Sequence, residues 1–355
     1  MEKLQIRDSN IELLRIISMF MIVVLHMGTF GIQKIIDINT YLSSYNQFIY
    51  HFIRSLSIVA VSIYVLISAY FLSNSKVKTS KIIRLFIETS FFCTVIFIIS
   101  VVFNKTTFDI QTLKESLLAI IFNEYWFVTV FFVLLILSPY INKLIESLDT
   151  KEYRKLLVIL FFVCCFWEFI LNKDIIVIGT NRGYSLIYFI FLYLLGGYIR
   201  KFGSLFKVAN KNMYLLSYFL VALVNSFIIC IQVVNQESIS KWYWYNSPLV
   251  ILMSYFLFQY FKNINLKTYK INFVSKFVFG IYLVHEHPII REVVWKESGI
   301  VSGLLSVNQK WIIPSVILGC VLLFLVFWIV SFIIGVVFNY LYSLIEKWLI
   351  KSYES

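Results

Sequence analysis

The sequence predicts an all-α fold, a polytopic transmembrane helical bundle of about ten spanning helices. Three observations carry that expectation. The 355 residues are 60% hydrophobic and 14% charged, whereas a soluble domain is roughly 45–50% apolar and about 25% charged. The 35 Phe and 23 Tyr are more than a water-soluble core absorbs without leaving oily surface in water. Apolar runs near the roughly 20 residues that cross a bilayer recur along the chain. This composition excludes disorder, a nucleic-acid-binding domain and a soluble enzyme.

In chain order the candidate spans are 11–31, 47–72, 82–103, 124–146, 155–172, 185–200, 213–234, 247–262, 273–290 and 311–338. The first opens at Ser9-Asn10-Ile11-Glu12, which has capping-box spacing. It is long enough to be retained as a helix rather than cleaved. The third follows a basic run from Lys76 to Arg84. Residues 111–123 read as an amphipathic helix leading into the fourth, which opens on Glu124-Tyr125-Trp126-Phe127. Trp and Tyr at that depth are ordinary interfacial anchors, as is the Trp242–Tyr245 run before the eighth span. Aromatic faces of this kind also stack on sugar rings. The fifth and sixth spans are short, and the fifth holds the carboxylate of Glu168. The longest polar stretch is 291–310. No appended soluble domain is expected, so residues 1–355 read as a single membrane-embedded domain. The absence of an internal repeat weakens the case for a transporter built from two halves.

The net charge is +12. In a membrane protein this reflects Lys and Arg collecting in cytoplasmic loops, not a nucleic-acid partner. With the N-terminus inside and strict alternation, the inner ends carry twice the Lys and Arg of the outer ones. The expectation is therefore that both termini are cytoplasmic. Cys93, Cys164, Cys165, Cys230 and Cys320 all sit within apolar runs and read as small buried hydrophobes.

Polar groups inside spans are costly and mark function by default. Arg15 and His26 are 11 residues apart in the first span. That is about 17 Å of rise and about 1100° of rotation, so both side chains lie on one face. Snorkelling of Arg15 and an interhelical bond to His26 are the structural alternatives. Lys81 and Arg84, with Glu88 four residues on from Arg84, form a second cluster that suits anionic headgroups equally well. The third is His285-Glu286-His287 at the end of the ninth span. His residues two apart diverge on a helix, and no Cys or third His accompanies them, so no metal is expected.

These residues carry a family resemblance. Asn10 to His26, with Arg15 followed by ten residues and His26, resembles the first helix of the acyltransferase 3 family of bacterial integral-membrane O-acyltransferases. Val65-Leu-Ile-Ser-Ala-Tyr-Phe-Leu72 is similar to the Ser-Gly-Phe/Tyr-Leu segment of the second helix, with Ala69 in place of the usual Gly. Lys81-Ile-Ile-Arg84 resembles the basic-x-x-Arg motif opening the third helix. Tyr125-Trp126-Phe127, running on to Leu137-Ser138-Pro139, resembles the fourth-helix segment. Phe279 to His285 closely resembles the late helix of members found among cell-surface polysaccharide genes. The matches run in family order.

The resemblance implies a multi-pass protein of the bacterial cell membrane. It would transfer an acyl group, usually acetyl, from acetyl-CoA to a hydroxyl of a cell-surface polysaccharide or lipid-linked oligosaccharide. Acetyl-CoA is then a donor substrate, and no permanently bound cofactor is expected. Arg15 and His26 would be the essential pair, and Arg15, Lys81 and Arg84 would bind the donor. His26 suits a general base at neutral pH. Ser68, Glu124, Trp126, Tyr282 and His285 are acceptor or oxyanion candidates, of which Ser68, Trp126 and Tyr282 are oxyanion donors by residue type. The donor thioester is expected to thread up the bundle from Arg15 to His26. The rival reading is a transporter or flippase for a lipid-linked glycan.

Overall fold

The computed structural model describes residues 8–76, 78–172, 179–206, 208–297 and 299–354, without the side chains of 297 and 347–354. Lys3, Arg7, Lys173 and Lys207, and the side chains of Lys347 and Lys351, all part of the charge tally, lie outside it. No strand occurs among the described residues. Six helical stretches are long and apolar enough to cross a membrane: Ser9–Ile35, Ser44–Leu72, Thr79–Val102, Trp126–Ser147, Asn212–Val234 and Gln309–Glu346. They coincide with predicted spans one to four, seven and ten.

The other four predicted spans are shorter or broken helices. The main elements are α1 Ser9–His26, α2 Ser44–Ser57, α3 Ala60–Leu72, α4 Thr79–Val102, α5 Ile110–Leu117, α6 Trp126–Ser147 and α7 Thr150–Phe161. Then come α8 Leu186–Phe202, α9 Asn212–Val234, α10 Pro248–Lys262, α11 Tyr269–Ser275, α12 Val278–His285 and α13 Pro288–Glu292. Two more, α14 Ile300–Leu305 and α15 Gln309–Glu354, complete the chain. The fifth span is interrupted by a π turn, Phe162–Phe166. The ninth is broken between α11 and α12, and Pro288 starts a new helix because it can open a first turn but not continue one. Residues 111–123 are helical only through Leu117.

The capping box at the start of α1 does not form. The Ser9 hydroxyl instead accepts from the Thr268 amide at 2.9 Å, and Glu12 turns toward Arg15. A long-range partner outcompetes the local one.

Two apolar clusters make the core. One gathers α3, α8 and α10 with parts of α6, α7 and α9; the other gathers α4, α12 and α15. Residues of α1 belong to both, so α1 is the seam between them. The first cluster depends on small residues. A Cβ placed on Gly196 of α8 would stand 2.5 Å from the Cβ of Ala69 on α3. Close backbone approach through small side chains is how helices associate in lipid, where the hydrophobic effect supplies no driving force. The second cluster holds α12 against α1, α4 and α15. We call the end of the bundle where α1 begins proximal and the opposite end distal.

Candidate functional site

The two clusters meet around α1, and the polar groups buried there come from α1 and α12. His285, in the last turn of α12, is fully buried. Its Nδ1 lies 2.6 Å from the carbonyl oxygen of Ile281, one turn back. A carbonyl only accepts, so His285 Nδ1 carries the proton and Nε2 keeps its lone pair. That Nε2 is 2.9 Å from Nδ1 of His26. His26 must then donate through Nδ1, which leaves His26 Nε2 as a free lone pair. The tautomer of α1's histidine is thus assigned by a backbone carbonyl on α12.

Glu286, directly after α12, adds a carboxylate to the same contact. Its Oε1 is 3.1 Å from His26 Nδ1, and its side chain is 6% exposed against 14% for His26. The other oxygen lies 3.9 Å from the Arg291 guanidinium, which also sits over the Phe30 ring. The arrangement has the logic of a base, an orienting group and a carboxylate that steadies the imidazolium.

A cavity of about 30 Å³ adjoins His26, lined also by Tyr64, Trp126, Tyr245, Phe279 and Tyr282. It holds about one water. The Tyr282 hydroxyl is buried and has no hydrogen-bond partner of good geometry among the described residues. Trp126 packs on Tyr184 at 4.5 Å and nearly parallel to Tyr245 at 5.8 Å, forming an aromatic wall. At the edge of that wall, burial pushes the Tyr184 phenol up in pKa and Glu286 adds to the effect, while a bond to Tyr245 and the charges of Arg54 and Arg182 oppose it.

Arg15 lies toward the proximal end. Its guanidinium pairs with Glu12 at 3.2 Å, and the Arg15 side chain is 31% exposed. Its carbonyl accepts from the Tyr64 hydroxyl at 2.8 Å. Tyr64 thus bonds at the level of Arg15 and lines the His26 cavity. Arg15 itself does not line that cavity, and Met19 and Ile22 close the same side. Tyr64 is thus the residue that links the level of Arg15 to the cavity beside His26.

The remaining predicted residues fall elsewhere. Ser68 donates to the carbonyl of Tyr64 at 2.9 Å and does not line the cavity. Glu124 is half-buried ahead of α6, also outside the cavity. Arg84 pairs with Glu88 at 3.9 Å, as its spacing suggested, and donates to Asn339 at 2.5 Å under the Tyr342 ring. Lys81 is exposed one turn earlier. Arg84 thus stands on the α4–α15 seam, and its contacts and those of the Arg15 guanidinium are separate. Glu286, Tyr64 and Arg291 were missed as site residues. Only Glu286 had a sequence signal, its place between two histidines.

His26, His285 and Glu286 also offer three ligand atoms within 4.8 Å of one another. The partner missing from His285-Glu286-His287 in sequence thus arrives from α1, while His287 caps α13 through Ile289. The 2.9 Å between the two ring nitrogens is a hydrogen-bond length, and 3.1 Å separates Glu286 Oε1 from His26 Nδ1. Tetrahedral zinc, with bonds of about 2.0–2.1 Å, holds its ligand atoms roughly 3.3 Å apart.

A helical membrane protein with a buried, tautomer-locked histidine is the class this fold and site define. Residues 8–344 match the family model of an acyltransferase domain, and the chain belongs to that family, acyltransferase 3. It is thus a membrane acyltransferase. No curated protein and no solved structure matches it.

Proposed function

We propose that the protein is an O-acetyltransferase of the bacterial cytoplasmic membrane. It moves acetyl from cytoplasmic acetyl-CoA to a hydroxyl of an extracytoplasmic or lipid-linked polysaccharide. In this reading the chain crosses the membrane ten times with both termini inside, so the proximal end is cytoplasmic. The observation that carries it is the His26–His285 contact, which leaves Nε2 of His26 without a proton, on a histidine that lines one cavity with Tyr282.

The acceptor oxygen attacks the thioester carbonyl carbon while its proton passes to His26 Nε2. Glu286, against the Nδ1 side, offsets the positive charge that the ring gains. The carbonyl oxygen becomes an oxyanion, and the Tyr282 hydroxyl donates to it. Collapse breaks the carbon–sulfur bond, and the CoA sulfur leaves with the proton from His26. The products are an acetyl ester and CoA. Arg15 belongs to the donor side, with Lys81 and Arg84 drawing donor phosphates to the inner rim. Tyr64 must swing aside for the arm to pass. The sugar lies against the aromatic wall of Trp126 and Tyr245.

Purified protein in detergent, given labelled acetyl-CoA and an acceptor oligosaccharide, is expected to transfer acetyl without any gradient. His26→Ala and Arg15→Ala should abolish glycan acetate in cells at unchanged protein level. Wild-type acetylation by either variant would remove its assigned role. A protein that moves lipid-linked glycan but transfers no acetyl would replace the enzyme with the flippase.

A further inference from the structure

A second group of cations at the proximal end has no role in the site above. Arg200, in the last turn of α8, lies over the Tyr70 ring at 4.9 Å and donates to its hydroxyl at 3.2 Å. Lys262, the last residue of α10, lies 5.9 Å from the same ring. Two positive charges from different helices therefore converge on one tyrosine of α3. Among the described residues neither has an acidic partner within ion-pair distance.

Neighbouring basic residues are used differently. Lys201 donates to the carbonyls of Ile145, Glu146 and Leu148 at 2.7 to 3.0 Å. Arg154 donates to the Tyr198 hydroxyl at 2.6 Å, and Arg84 has Glu88 and Asn339. Arg200 and Lys262 remain with an aromatic ring, which lowers the cost of holding a cation but does not neutralise it. Like charges held this close repel unless an anion lies between them.

Their position follows from the helices. Tyr70 is six residues beyond Tyr64 on α3, about 9 Å nearer the proximal end. Tyr64 marks the level of Arg15 through its bond to that residue's carbonyl. Asn10 at the start of α1 bonds the carbonyl of Phe261, next to Lys262, at 2.8 Å. The cation pair thus lies one step below Arg15, which lies about 17 Å below His26.

We infer that Arg200 and Lys262, gathered on Tyr70, form the docking site for the diphosphate of the acyl donor. This rests on the acetyl-CoA reading above. The anion sits between the guanidinium and the ammonium, and the donor's thin arm then runs up past Arg15 toward Tyr64. Tyr70 orients Arg200 and packs edge-to-face on Phe258.

The test is binding of labelled acetyl-CoA to the full chain in phosphatidylcholine nanodiscs. Arg200→Gln and Lys262→Gln should each weaken binding about tenfold, as expected for losing one charge-assisted phosphate contact. Arg200→Lys and Lys262→Arg should recover most of it. Melting temperature and elution volume are read in parallel to separate lost contact from lost fold. Unchanged affinity in both Gln variants overturns the inference alone. So does a pattern in which they bind acetyl-CoA normally but lose the stabilisation that phosphatidylglycerol gives the wild type. The pair would then hold a lipid headgroup. Failure of the wild type to bind acetyl-CoA would instead remove the donor reading, and this inference with it.

Discussion

In the proposed reaction His26 acts as base, and its free ring nitrogen is set by a partner 259 residues away. Its spacing from Arg15 was legible, because helix periodicity alone puts both on one face. Its tautomer was not, because that depends on Ile281, His285 and Glu286 arriving from α12. Glu286→Gln keeps the shape and removes the charge. It is expected to lower kcat for acetyl transfer about 10²-fold, within the range of general-base contributions, and wild-type turnover would show that the carboxylate steadies nothing. Tyr282→Phe separates catalysis from stability. Loss of the oxyanion donor should reduce kcat about 10²–10³-fold at similar KM. The melting temperature should hold, because the hydroxyl makes no hydrogen bond of good geometry; a lower rate together with a collapsed melt would point to a structural role. Ser68 shows the opposite case. A serine inside a helix commonly bonds the carbonyl four residues back, as this one does, so its exclusion from the cavity follows a local rule.

At the scale of elements, α1 was the best-read helix and the ninth span the worst. The first has a continuous apolar run with two polar residues on one stripe. The ninth is a break and a short helix, and the break places the last turn of α12 at the depth of His26. Apolar composition does not reveal where a helix stops inside a bundle, since both halves look equally oily. The approach of α3 to α8 explains why small residues occur at Ala69 and Gly196. Gly196→Leu is expected to destabilise the protein by about 1–3 kcal/mol or more through overpacking. Melting in detergent measures it, and an unchanged midpoint would show that the two helices separate without cost. The amphipathic stretch before α6 ended early, at Leu117, because the chain turns there to bring Glu124 and Tyr125 to the head of α6. Tyr125 then donates to the carbonyl of Leu283 at 2.9 Å, bracing α12 from the other side.

For the whole molecule, the charge bias supplies the orientation argument and the fold supplies the interior. Reporter fusions in the turn at 103–109 should read as external and fusions at 73–76 as cytoplasmic. The reversed pattern would invert the membrane placement on which the donor's route depends. The cavity beside His26 is smaller than the acetyl group and acceptor of the proposed reaction, so that reading requires the site to open, and Tyr64, between the level of Arg15 and the cavity, is the residue it asks to move.

The sequence by itself determined that the chain lives in a bilayer, that it is helical, and that Arg15 and His26 share a stripe. These are properties of composition and of a 3.6-residue period, which need no knowledge of neighbours. Only the tertiary structure decided which histidine carries which proton, that Glu286 joins them, and that Ser68 and Glu124 stand outside. Those facts depend on contacts between segments far apart in the chain, and packing in three dimensions sets them where no local pattern can.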